Sequence, residues 1–337
     1  MGYSGYTEKA YQEEFQSRDY AHKSGDELFR NTTSATRKTQ ASSFNKSARV
    51  SNTDVRPEML SVGVRESRDT DTKKKTPIII AFDVTGSMLE RPEEMIKDQF
   101  PKLMNRLLEI GVRDPEILFL AVGDSRGHTP ESKGDDYPFQ GGQFEGEPKK
   151  VLDDIQEFYL EGGGCGNEGE DYLLAWIVAG YHTETDSWYK RHKKGFLFTL
   201  GDEACHELIA GCNLVRCLGY EKGAKDITAE EALEKAREQY ECFHIHVTDA
   251  AHSVHDTIHR KSERLTIEDS WKNLIGSENF LTCKSTEVAK TISETIREHY
   301  VADPETSAST SDEEVLEVPA EEVTKPVDDS GTKMKFH

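Results

Sequence analysis

Pro77-Ile78-Ile79-Ile80-Ala81-Phe82-Asp83-Val84-Thr85-Gly86-Ser87-Met88 is the stretch on which the reading of the chain turns. An unbroken apolar run of this length suits a strand covered on both faces, not one with a wet side. The run stops at a carboxylate, Asp83, and Thr85 and Ser87 follow at alternate positions. Alternate residues of an extended turn point to one side, so Asp-x-Thr-x-Ser gathers three oxygen side chains where the chain enters a helix. Beyond the turn, Met88, Met95, Phe100, Leu103, Met104, Leu107 and Leu108 keep helical spacing as far as Ile110. Pro92 and Pro101 predict an early turn and a kink or break within that segment.

Similar units follow. Glu116 to Gly123, Gly195 to Leu200, Cys242 to Val247 and Phe280 to Cys283 read as further strands, and Phe139 to Phe144 as a weaker, polar edge strand. Val151 to Tyr159, Asp171 to Tyr181, Glu230 to Tyr240, Trp271 to Ile275 and Glu287 to Tyr300 read as helices. Such alternation predicts an α/β fold, a doubly wound, mostly parallel sheet with helices on both faces. Open sheets of this kind carry their function at the carboxyl ends of the strands. Three loops there are chemically distinctive: the one after Asp83, the run Gly162-Gly163-Gly164-Cys165-Gly166-Asn167-Glu168-Gly169-Glu170-Asp171, and Thr199-Leu200-Gly201-Asp202-Glu203.

Composition divides the chain. Its 337 residues carry 63 Asp+Glu against 42 Lys+Arg, a net charge of −21. Residues 1–75 form a polar, Ser/Thr-rich N-terminal arm, net +3; residues 76–302 form the domain, net −17; residues 303–337 form an acidic tail, net −7. The tail's composition predicts disorder, because too little apolar surface is available to offset ordering entropy. An acidic protein repels phosphate, so nucleic-acid binding is excluded as a general role. No apolar run is long enough to span a membrane. The polar N-terminus predicts no cleaved leader, and six Cys without one read as reduced, cytoplasmic thiols.

One carboxylate and two hydroxyls in the first loop make a hard-oxygen set suited to Mg²⁺ or Mn²⁺. The plainer alternative has Asp83 cap the helix while Thr85 and Ser87 satisfy turn amides. The acidic second and third loops, in that order, favour a metal site. An apolar strand, Asp-x-Thr-x-Ser, an amphipathic helix, a Gly-rich loop and a later apolar strand ending in Gly201-Asp202 together resemble the von Willebrand factor A (vWA) domain, over roughly 76–302. Pro138-Phe139-Gln140, Gln143-Phe144-Glu145 and Gly195 to Glu203 look most like cytosolic bacterial and phage members. The resemblance implies a Rossmann-like fold and a metal-ion-dependent adhesion site (MIDAS). Thr85 and Ser87 would hold Mg²⁺ directly, and Asp83 and Asp202 would act through water. It also implies a non-enzymatic protein–protein interaction role, in which a partner's Asp or Glu completes the coordination. An AAA+ ATPase or a kinase-like protein is the partner implied. The chain departs from the family in two places. Thr85 stands where Ser is commoner, and the second loop lacks its usual Thr, leaving Asn167, Glu168, Glu170 or water to substitute.

Other chemistries fit less well. A haloacid-dehalogenase-type phosphatase needs a second carboxylate where Thr85 stands, so a metal-dependent phosphohydrolase ranks third, behind an assembly protein whose metal site is vestigial or serves stability alone. No Gly-x-x-x-x-Gly-Lys-Ser/Thr loop occurs. His252, His255 and His259 would share a face if their segment were helical, and His244 and His246 share a strand face. Cys205, Cys212 and Cys217 form a second candidate zinc group. Solvated or core residues are the favoured reading of both groups. Lys73 to Lys75 and Lys190 to Lys194 precede strands and read as solvated flanks.

Overall fold

The computed structural model describes residues 63–127, 138–158, 166–260 and 263–302, with Glu13 and Ser17. The expectations for the rest of the N-terminal arm, for Gly162 to Cys165 and for the tail 303–337 lie outside the described residues.

Among the described residues, six strands form the central sheet: β1 (Thr76–Asp83), β2 (Pro115–Val122), β3 (Phe139–Gly141), β4 (Gly195–Gly201), β5 (Tyr240–Val247) and β6 (Phe280–Cys283). Their order is β6-β5-β4-β1-β2-β3. All neighbours are parallel except β3, which runs antiparallel to β2 at one edge. The Phe139 to Phe144 expectation shortens to Phe139–Gly141, followed by a single bridge between Glu145 and Ile117.

Among the described residues, seven α-helices of eight or more residues cover the sheet: α1 (Phe100–Glu109), α2 (Pro148–Glu157), α3 (Leu173–Tyr181), α4 (Gly211–Leu218), α5 (Ala229–Arg237), α6 (Ile267–Ile275) and α7 (Val288–His299). Side chains alternate across β1. Ile78, Ile80 and Phe82 pack with α1, α2 and α7, whereas Ile79 and Ala81 pack with α3, α4, α5 and α6. Both faces of the sheet are therefore buried, as an unbroken apolar strand requires. α3 is apolar all round and buried from Leu173 to Gly180, as a helix enclosed by sheet and helices must be.

The predicted helix from Ser87 to Ile110 is broken. A 3₁₀ turn at Gly86–Met88 leads to a short α turn at Arg91–Glu94, a π turn at Met95–Gln99, and then α1. Pro101 has no amide hydrogen for the carbonyl four residues earlier, and the wider π turn sits just upstream of that defect.

Residues 63–75, assigned above to the arm, lie along the domain. Arg65–Ser67 pairs in parallel with Thr183–Thr185. Arg65 is buried and donates to the carbonyls of Gly63 and Gly142, at 2.7 and 3.2 Å. Arg68 and the Asp69 amide both reach the Asp186 carboxylate.

Candidate metal centre

The order of the sheet reverses at β1: β2 and β3 lie to one side, β4 to β6 to the other. Such a reversal opens a crevice at the carboxyl ends of the two strands that flank it, here β1 and β4. Asp83 ends β1, and Asp202 follows β4 directly.

Asp83 is fully buried. Its Oδ1 accepts the Thr85 amide at 2.8 Å and the Thr85 hydroxyl at 2.6 Å, which folds the backbone into an Asx turn. The Thr85 and Ser87 hydroxyls lie 3.2 Å apart, and Ser87 donates to Asp202 Oδ1 at 2.8 Å. Asp202 Oδ2 accepts the His252 amide at 2.9 Å, and the Ala251 amide donates to the Ser87 carbonyl. Asp83, Thr85, Ser87 and Asp202 thus form one connected cluster. Burial, and after it the negative charge of Asp202, push the Asp83 carboxyl up to about 8. Two carboxylates and two hydroxyls are all hard oxygens, a donor chemistry that fits Mg²⁺ or Mn²⁺. Among the described residues, no group of three or more His, Cys, Asp or Glu side chains is arranged to hold a metal. The cluster, with two carboxylates, is of the mixed hydroxyl kind.

The second loop enters differently from the expectation. Asn167 turns to the loop after β2, where its Nδ2 donates to Asp124 Oδ2 at 2.6 Å and to the carbonyls of Arg126 and Gly127. Glu168 lies at the surface, its carboxylate on the amide and ring of His259. Glu170 is buried, and its backbone bridges to Cys205. The group that meets Asp83 is Tyr172, whose hydroxyl donates to Oδ2 at 2.7 Å. Burial first, then the charges of Asp83, Asp202 and Glu170, raise that phenol well above its ordinary value, so it stays a neutral donor.

Asp124 ends a second polar cluster beside the first. It accepts from the Arg126 amide at 3.0 Å and lies 3.2 Å from His206 Nε2, while the Arg126 guanidinium meets the other ring nitrogen. Burial raises Asp124 to about 6 and lowers His206 to about 3. The Ser125 amide donates to Asp171 Oδ2 at 2.6 Å, tying the loop after β2 to the second loop. Neither Asp124 nor Tyr172 emerges from the motif reading. Asp124 carries a signal nonetheless: like Asp202, it is the first charged residue past an apolar strand, with Gly123 between it and Val122.

The histidines disperse. Ser253 to Asp256 form a turn, and Thr257–Arg260 pairs with Glu263–Thr266 in an antiparallel hairpin, which corrects the conditional helix face of His252, His255 and His259. His255 is exposed and His259 sits on Glu168. His244 stacks on Trp271 at 3.5 Å between ring centroids, and His246 Nε2 faces the His252 carbonyl. Cys205 is buried, Cys217 half-buried and Cys212 exposed.

No protein-family model and no curated protein matches the chain. Among solved structures, the open conformation of the pilus adhesin SpaC from Lactobacillus rhamnosus GG is similar at 10% identity and a TM-score of 0.42, over 71% of this chain and 31% of that one. Proximal thread matrix protein 1 from the mussel byssus is similar at 14% identity and a TM-score of 0.39, over 67% and 48%. The chain thus spans less than half the length of either, and likenesses this remote carry nothing about activity. Among the described residues, no helix is long and apolar enough to cross a membrane.

Proposed function

We propose that the chain is a vWA-type module on a Rossmann-like sheet, which binds Mg²⁺ or Mn²⁺ and through it a carboxylate of a partner protein. Thr85 and Ser87 would hold the cation, and Asp83 and Asp202 would orient its waters. A bound divalent ion supplies a charge that draws an acidic ligand and fixes its direction. The observation that carries this reading is the meeting of Asp83, Thr85, Ser87 and Asp202 in one hydrogen-bonded cluster at the reversal of the sheet. The charge acting most strongly on buried Asp83 is a second carboxylate, which a cation would offset. Titration calorimetry with Mg²⁺ and Mn²⁺ tests it: wild type binds and Asp83→Ala does not, while both keep the same circular dichroism. Affinity capture with and without EDTA then asks whether protein binding follows the ion. Capture by wild type that neither EDTA nor Asp83→Ala reduces rejects the adhesion role.

The direct Ser87–Asp202 hydrogen bond favours a second reading, an assembly protein in which the cluster ties β1 to β4 and serves stability alone. Absence of cation binding by wild type, with Ser87→Ala destabilised, would select it.

A further inference from the structure

Tyr172 occupies an unusual position for the residue at the N-cap of an apolar helix. It is fully buried, and its hydroxyl reaches past the end of β4 to Asp83 Oδ2 at 2.7 Å. The passage exists because residue 201 is glycine: a Cβ there would collide with the Tyr172 hydroxyl and lie 2.9 Å from Asp83 Oδ2. The ring is held edge-on by Trp271 and His244, each at 5.3 Å between centroids, and the Trp271 indole is itself anchored on the Glu203 carbonyl at 2.9 Å. Thr85 occupies Oδ1 of Asp83 twice over, so Tyr172 fixes the remaining oxygen.

Resting on the reading of this cluster as a cation site, we propose that Tyr172 is a positioning residue that sets which divalent ion the site accepts. With both oxygens held, Asp83 cannot turn or slide to suit ions of different size. Mg²⁺ demands near-ideal octahedral geometry, whereas Ca²⁺ tolerates variable, longer and more flexible coordination. A rigid Asp83 therefore favours Mg²⁺, and a released one relaxes that preference. A hydroxyl that merely satisfied a buried carboxylate would affect stability and leave the ratio of the two affinities alone.

Calorimetric titration of the full chain with Mg²⁺ and with Ca²⁺ separates these. In Tyr172→Phe the Mg²⁺ affinity should fall about tenfold or more, the scale seen when partners of metal-site residues are removed, with Ca²⁺ changing much less. Trp271→Phe, which disturbs the same packing and spares the hydroxyl, should leave the ratio unchanged. Should Tyr172→Phe fail to fold, 3-fluorotyrosine at position 172 keeps the ring and makes the hydroxyl a stronger donor; the ratio should then shift toward Mg²⁺. An unchanged ratio in the variant that folds, with Mg²⁺ binding intact in wild type, overturns the role of Tyr172 and leaves the cation site standing. Absence of Mg²⁺ binding in wild type overturns both.

Discussion

Asp83 is expensive for the fold when it is charged. Its carboxyl titrates at about 8 in the folded chain, against about 3.9 in an unfolded one. Between those values the folded state holds a proton that the unfolded state has lost. In the absence of divalent cation, this residue's contribution to stability is complete below pH 4 and is lost as pH rises toward 8, at up to about 1.4 kcal/mol per pH unit. Urea denaturation of wild type and Asp83→Asn across pH 4–8 measures it: the wild-type curve should fall relative to that of the Asn variant, and parallel curves would contradict the assignment. Leu89, two residues beyond Ser87, bears a different cost. It is 62% exposed and has φ 53° and ψ −126°, a conformation suited to glycine. Leu89→Gly should raise stability by roughly 1 kcal/mol, read as a higher urea midpoint with an unchanged slope. A lower midpoint would show that the leucine earns its position through packing.

Among the elements, those buried on two faces were the legible ones. Ile78 to Phe82 and Gly195 to Leu200 announce strands because burial on both faces leaves them almost wholly apolar, Thr199 excepted, and Asp83 and Asp202 stand out as the first charges after them. Surface elements left weaker marks. α4 is short and begins Gly-Cys-Asn, and the hairpin strands at Thr257–Arg260 and Glu263–Thr266 bury only Ile258, so neither offers a long apolar pattern to read. Tyr172 looked like one more apolar helix residue. Its place beside Asp83 depends on the missing Cβ of Gly201, a relation between distant positions that no local pattern contains. Local chemistry still governs the ends of helices. At α5, Thr228 accepts the Glu231 amide at 3.2 Å while Glu231 accepts the Thr228 amide at 2.9 Å, a complete capping box. Thr228→Ala should cost about 1 kcal/mol in chemical denaturation, and Thr228→Ser should restore most of it.

For the molecule as a whole, composition places the start of the domain at residue 76, and the contacts place support for it earlier. Arg65, Ser67, Arg68 and Asp69 bind partners on β3's outgoing loop, β2 and the segment around Asp186. A chain beginning at residue 76 should melt several degrees below one beginning at residue 63, since removing even 2 kcal/mol moves the midpoint of a domain this size by about 4 °C or more. Equal melting temperatures would make the 65–67 pairing dispensable.

The reversal of the sheet at β1 also has a temporal meaning. The Ser87–Asp202 bond spans 115 positions of the chain, and β1 and β4, whose pairing brings those residues together, have β2, β3 and helices α1 to α3 between them in the chain. Contacts of such long range incur their chain-closure entropy before they return any stabilisation, so they form slowly and late. No fragment ending before β4 can hold Asp83 and Asp202 together. During synthesis the acidic cluster comes into being only after Asp202 has emerged, which delays any ligand's capture until the central sheet can close.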